Sequence, residues 1–459
     1  MVRVRSGIAI ALAAALIFTA CSSDKKATST GSGSSASSSS NAPLTASFRG
    51  VTATSIKIAI ADIDYDCLAQ FLDITHGDIK KVTQAMVDRI NNNGGILGRK
   101  LEIVFSQQCP LKQDEVAKAC TTFTDDDQVF AVLGLYDTEP PGNGSNKLCL
   151  SKDHATIQIN HIVKQAIIDQ ATPGLLLTPD RTPERTLDAV LSLVKQQNTL
   201  AGKTIALLAD QNTVTGAEPK VKAAASDLKL KQGSTAVLSI TNEETTAAQA
   251  QLDSFIEKWK TEGVNALVMA GLSVSAKQFV EKIKAAIPGM LLITDSTETG
   301  GQAQDEVKAG KNPNPYEGML SADGPSSQET FDSAPVQECV KAYEQATGEK
   351  VIAPNQLAAG QTGTGAPKRV EVFTAIEDRC SELDLFKQIA EKAGPNLTND
   401  TWIAAVNGFG KIKLNRSPFG SLHQGKYDAD DAARLVAFDS AVPANGDFKP
   451  LSELKDIGT

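Results

Sequence analysis

The chain has 459 residues, with 45 Lys and Arg against 54 Asp and Glu, giving a formal charge of −9. No basic cluster follows its first few residues, which argues against nucleic-acid binding. Without an amino-terminal leader it still has enough length for two α/β lobes, each burying its own core.

Arg3 and Arg5 precede an apolar stretch over residues 8–18. That stretch is too short to span a bilayer comfortably and has the layout of an export signal. Phe18-Thr19-Ala20-Cys21 resembles a bacterial lipobox, with small residues just before a cysteine. In this reading residues 1–20 are removed, and Cys21 carries acyl chains, more than one being needed for lasting attachment. The rival readings are an ordinary signal peptide cleaved at Ala20 and a poor transmembrane anchor. Residues 22–47 include G-S-G-S-S-A-S-S-S-S-N and cannot bury apolar surface. About 26 such residues span roughly 30 Å. Residues 21–49 therefore read as a tether, on the outer face of the cytoplasmic membrane. No later apolar run is long enough to cross a bilayer.

Residues 56–61 predict the first strand. An amphipathic helix follows, with Ile79, Val82, Met86, Val87 and Ile90 on one face and Lys80, Lys81, Asp88 and Arg89 off it. Asn91-Asn92-Asn93-Gly94-Gly95 tolerates the positive φ of a helix C-terminus. A turn through Gly98 then leads into an apolar strand at 101–105. This is a βαβ unit, so the sheet is expected to be parallel with a right-handed crossover.

The pattern continues with helices at 114–123 and 145–152 and strands at 129–133 and 155–159. An apolar run at 173–178 precedes a helix through 194, with Thr182 as N-cap and Pro183 at its first position. A second series has strands at 204–209, 235–240, 266–270 and 290–294. Its helices are expected at 218–228, 245–261 and 276–287. Beyond Tyr316 the chain turns Pro- and Gly-rich, then predicts helices at 336–346 and 370–392. The fold class is therefore α/β, with two doubly wound parallel-sheet lobes.

G-V-T-A-T-S-I-K-I-A-I at 50–60, with I-N-N-N-G-G-I-L-G-R-K at 90–100, resembles the opening of type I substrate-binding proteins of ABC importers, the leucine/isoleucine/valine-binding group. The resemblance runs from about Gly50 to about Phe438. It implies a ligand cleft between the lobes. It also implies that the chain revisits each lobe: residues 50–181 with about 325–405 in the first, and 182–324 with about 406–459 in the second.

Apart from Cys21, six cysteines remain, an even number that suggests three disulfides in an exported chain, though 15 pairings exist. Topology narrows them. Cys67 and Cys109 follow two strands expected to be neighbours, Cys120 and Cys149 sit on successive helices, and Cys339 and Cys380 on two late ones. No close Cys-x-x-Cys spacing supports a metal site.

Open parallel sheets bind ligands beyond the C-terminal ends of their strands, and hinge closure buries what lies there. In the first lobe these positions are Asp64, Tyr65, Tyr136, Asp137, Thr138, Asn160 and His161. In the second they are Asp210, Thr213, Ser273, Asp295, Ser296 and Glu298. The resemblance implies a ligand-carboxylate site near Thr138 and the turn after Ile159, and an acid meeting a ligand ammonium near 295–298. The chain departs from amino-acid binders at L-Y-D-T-E-P-P-G, at Asn160-His161, and at Thr215-Gly216 where Tyr-Gly often stands. Asp64, Asp210 and Asp295 equally suit helix caps or solvated loops, and His161 a structural role. Trp259 and Trp402 fit packing.

Catalytic patterns are missing from the sequence. Gly142-Asn143-Gly144-Ser145 has the wrong order for a nucleophile elbow. The glycines at 360–365 lack a following Lys-Ser/Thr, and His76, His154, His161 and His423 lack H-E-x-x-H spacing. The expectation is a non-enzymatic receptor without cofactor or metal. It would be a monomer that takes a small polar solute, an amino acid or amide-like relative, and delivers it to a membrane permease with separate ATPase subunits. A ligand sensor of the same fold, signalling to a membrane partner, is the alternative; a cell-envelope enzyme comes third.

Overall fold

The computed structural model describes residues 44–67, 74–109, 112–134, 146–161, 163–239, 246–272, 276–295, 298–357, 369–442 and 446–458. Cys21 and the expected leader lie outside them. The first strand, β1 (Ser55–Ile63), is buried along nearly all its length, as a strand covered on both faces must be. Around it lie β2 (Lys100–Gln108), β3 (Ala131–Leu133), β4 (Ile157–Ile159) and β5 (Leu176–Leu177). Their order is β2-β1-β3-β4-β5, all parallel.

The second sheet contains β6 (Thr204–Asp210), β7 (Ala236–Leu238), β8 (Ala266–Ala270), β9 (Leu291–Thr294), β10 (Leu320–Asp323), β11 (Ala432–Asp439) and β12 (Asp447–Pro450). From β7 through β6, β8 and β9 to β10 it is parallel. β11 and β12 then add antiparallel strands. The two parallel-sheet lobes are as expected, and the second carries an antiparallel edge where the returning chain supplies the last strands.

The helix Ile79–Asn92 turns Val82, Met86, Val87 and Ile90 into the first core, capped by Asp78, whose carboxylate accepts from the Lys81 amide. It ends at Gly94 and Gly95, with φ of 93° and 69°. A Cβ on Gly95 would lie 2.0 Å from the Arg99 carbonyl oxygen, so only glycine fits. Arg99 itself is buried. Its guanidinium donates to the carbonyls of Thr52, Thr45 and Pro395. Ser47 donates to the Leu397 carbonyl and Arg49 to that of Val129. Residues 44–49, expected at the end of the tether, are therefore already fastened to the folded body.

Three disulfides join Cys67 to Cys109, Cys120 to Cys149 and Cys339 to Cys380. Parallel pairing of β1 with β2 brings the first two sulfurs together. Trp259 and Trp402 are fully buried, their indole N–H groups donating to the carbonyls of Ser234 and Gly174. Buried tryptophans keep the packing role their sequence positions suggested.

Among the described residues the chain passes between the cores three times. It leaves β5 at residue 178 and enters the helix Pro183–Gln196, capped by Thr182 with Pro183 in its first turn, whose Leu187, Val190 and Val194 pack in the second core. After β10 it returns to helix Ala334–Thr347, whose Val336, Val340 and Tyr343 lie in the first core. The third passage falls near residue 430. Leu422, Tyr427 and Ala429 still pack with the first core, while Ala433 and Leu435 belong to the second.

Candidate functional site

The C-terminal ends of the second sheet carry two acids. Asp210 ends β6, and its Oδ1 accepts from the amides of Asn212 and Thr213 at 2.9 and 2.6 Å. Asp295 follows β9, and its Oδ2 accepts from the Gly271 amide at 3.1 Å. Gly271 lies between them at the end of β8. A Cβ there would come within 2.9 Å of the Asp210 carboxylate and 2.2 Å of Thr213 Oγ1, so the absent side chain keeps the two acids close. Asp210 is 8% and Asp295 5% exposed. Neither meets a cationic side chain among the described residues. Burial, reinforced by Glu184 and Asp210, pushes the Asp295 carboxyl up to about 7. Thr213 stands at the start of the helix Val214–Asp227, which begins earlier than the expected 218 and accommodates Pro219 in its second turn.

In the first lobe the strand ends meet the helix Val372–Ala393. Asp62, near the end of β1, pairs with Arg379 at 2.7 Å. Arg379 also binds Glu382. Gly134, just past β3, has φ +77°, and a Cβ there would lie 2.7 Å from the Arg379 guanidinium. The glycine thus makes room for that cation. His161, in the turn after β4, presents Nδ1 to Asp180 at 2.7 Å and Nε2 to Glu382 and Asp378 at 3.3 and 3.7 Å. Burial alone would lower this imidazole, but Asp180 and Asp378 hold it well above its ordinary value. Arg416 reaches Asp180, Glu377 and Asp378 at 3.1, 3.3 and 3.5 Å.

The expected residues are used in different ways. Asp64 closes a turn through the Asp66 amide, beside the Cys67–Cys109 bridge. Tyr65 stacks against His76 with ring centroids 4.4 Å apart, its hydroxyl 3.2 Å from Nε2. Burial together with Asp62 and Asp378 pushes that phenol up. Asn160 is buried and donates to Gln158. Tyr136, Asp137, Thr138, Ser273, Ser296 and the Glu298 side chain lie outside the described residues.

Sequence reasoning missed Asp62, Asp180, Asp378, Arg379, Glu382 and Arg416. A signal existed in A-I-E-D-R-C-S-E-L-D-L at 375–385, where charges crowd an apolar helix and Asp378 and Glu382 share a face. A separate groove of about 600 Å³ is lined by Gln165, Arg185, His423, Lys426 and Lys455, away from the strand ends. Its Arg185 and Lys426 are already paired with Asp428 and Asp431, which weakens it as a solute site.

Residues 74–365 match the family described as periplasmic binding protein, and the chain belongs to that family. Comparison with curated protein sequences gives no match. Among solved structures, the chain resembles the solute-binding protein of an ABC transporter from Rhodopseudomonas palustris in complex with 4-hydroxybenzoate. Identity is 12%, coverage 88% of this chain and 98% of that one, and the TM-score 0.59. An ABC transporter substrate-binding protein from Desulfitobacterium hafniense, in complex with Leu, has 13% identity, 86% and 100% coverage and a TM-score of 0.58. A leucine-binding protein from Thermotoga maritima gives 10%, 87% and 99%, and 0.57.

The fold is thus that of type I periplasmic binding proteins, two α/β lobes with a ligand cleft between them. Membership of the family implies an extracytoplasmic, solute-binding role. No helix of the described residues is long and apolar enough to cross a membrane.

Proposed function

We propose that this chain is a lipid-anchored receptor that closes its lobes around one small polar solute and delivers it to an ABC import permease. The solute carries an ammonium or similar cationic group, as an amino acid or an amide-like relative with an amine does. One observation carries this reading: Asp210 and Asp295 stand close together at the strand ends, both buried and neither with a cationic partner among the described residues. Two such carboxylates are costly to hold ionised, and an ammonium between them offsets that cost. Related structures were solved with Leu and with 4-hydroxybenzoate, so the architecture accepts both ammonium-bearing and purely acidic ligands. The acid pair favours the former.

Thr213, Tyr65 and His161, with Thr138 and the other expected strand-end residues, complete the proposed contact set. A solute touching both lobes stabilises the closed form through contacts the open form lacks. A permease then distinguishes loaded from empty receptor by shape. Anchoring through Cys21 is tested by Cys21→Ser, which should release or misprocess the protein, and by mass spectrometry for lipid on Cys21.

The solute is sought by thermal shift on a soluble chain starting at residue 44, against amino acids, amides, ureas, amines and small organic acids. A ligand at 100 times its Kd adds about 2.7 kcal/mol of stability. Calorimetry on Asp210→Ala and Asp295→Ala should then show losses of about ten- to a hundred-fold, the worth of one buried charge-assisted contact. Wild-type affinity in both variants would refute the assignment. So would a ligand set confined to anions.

A further inference from the structure

We infer that Arg181 is a positioning residue that binds the three interlobe passages into one pivot and thereby sets how the lobes open and close. The inference needs the two-lobe fold but not the solute assignment, so a failed ligand screen leaves its test intact.

Arg181 lies on the first passage, between β5 and the helix Pro183–Gln196, and its side chain is only 5% exposed. Nη2 donates to the carbonyl of Ala322 at 3.0 Å, the residue before Asp323 at the second passage. Nη1 donates to the carbonyl of Ala432 at 2.5 Å and lies 3.5 Å from Asp430 Oδ2, both on the third. Nε is held by Thr186 Oγ1 at 3.2 Å. One planar cation therefore touches all three strands of chain that join the lobes. Its rigid fork presents donors in several fixed directions at once, which a lysine ammonium on a flexible stem does not.

The neighbouring groups reinforce the arrangement. Thr178 and Ala429 bond backbone to backbone, as do Thr178 and Tyr427, so passages one and three run side by side. Arg185 donates to Asp428 at 2.8 Å, to the Asp430 carbonyl at 3.0 Å and to Asp431 at 2.8 Å. Arg434, just after the third passage, pairs with Glu329, just after the second. Each passage also contributes an acid near the Arg181 and Arg416 guanidinium groups: Asp180, Asp323 and Asp430. With the carbonyls pinned, the three passages bend together. Without Arg181 the side-chain tie of the first passage to the carbonyls of Ala322 and Ala432 is lost, and the pivot loosens.

The test compares wild type, Arg181→Met and Arg181→Lys without ligand, using two unnatural-amino-acid labels at exposed positions, one per lobe, and hydrogen exchange. The expected result is a broadened interlobe distance distribution in both variants. Amides of Thr178, Thr182 and Ala429 should exchange at least ten-fold faster, while those of Ile58, Leu207 and Val268 keep wild-type rates. Equal acceleration of passage and core amides would mean global destabilisation and overturn the inference, as would an unchanged distance distribution. Should the Met variant not fold, Lys, which keeps the charge and loses the fork, decides alone. Wild-type behaviour in the Lys variant also overturns it.

Discussion

Replacing Asp295 with Asn is expected to stabilise the unliganded protein at neutral pH while weakening solute binding. The Asp295 carboxyl is raised from 3.8 to about 7, chiefly by burial. Between those values the unfolded chain has released its proton and the folded one has not. The unfolded state then binds fewer protons, so stability falls as pH rises through the window and is flat above it. Three units correspond to roughly 4 kcal/mol at most, and relaxation of the site reduces this to about 1–3 kcal/mol. Asn keeps a carbonyl oxygen for the Gly271 amide and carries no charge. Urea unfolding of both proteins between pH 4 and pH 8.5 measures the difference. The gain should be near zero at the acid end, grow through pH 5–7 and then level. A difference that does not vary with pH, or a variant less stable than wild type at pH 8, would refute the reasoning.

Three further outcomes are expected. His161→Asn removes the cation shared by Asp180, Asp378 and Glu382 and leaves them to Arg416 and Arg379, at a cost of about 1–3 kcal/mol. Because the raised His161 value means its stabilisation is complete below the unfolded pKa and lost as pH rises through the folded one, the penalty measured by denaturation should shrink toward alkaline pH. Gly95→Ala combines a φ of +69° with a Cβ 2.0 Å from a backbone oxygen, and should cost at least about 2 kcal/mol in urea unfolding. Cys339→Ala with Cys380→Ala removes a buried crosslink between two helices of the first core, and should cost about 2–4 kcal/mol by the same measurement.

Much of the scaffold was readable because local chemistry and tertiary demand coincide. The strand Ala266–Ala270 lies where its apolar run predicted, and Thr182-Pro183 starts a helix with the anticipated cap. Asn-Gly-Gly ends one because positive φ was needed. The helix Glu298–Lys308 was not foreseen, since E-T-G-G-Q-A-Q-D-E-V-K contains paired glycines and little apolar periodicity. The resemblance placed the residues of β11 in the second lobe, but its pairing was not readable, because its partner β10 lies more than a hundred residues earlier. The candidate site was half legible. Strand-end logic finds Asp210, His161 and Asp295, whereas Asp62 and Arg379 meet across 317 residues. Polar interruptions inside apolar segments mark such residues without naming their partners.

All three disulfides belong to the first lobe, and the residues of the second core include no cysteine. Oxidation therefore matures one half of the molecule and is irrelevant to the other. In a reducing compartment the second lobe has every bond it needs, while the first lacks three staples. Each missing bridge lowers the stability of the first half by about 2–4 kcal/mol and leaves the second unchanged. Placing every crosslink on one half makes the two halves answer differently to the redox state of their surroundings.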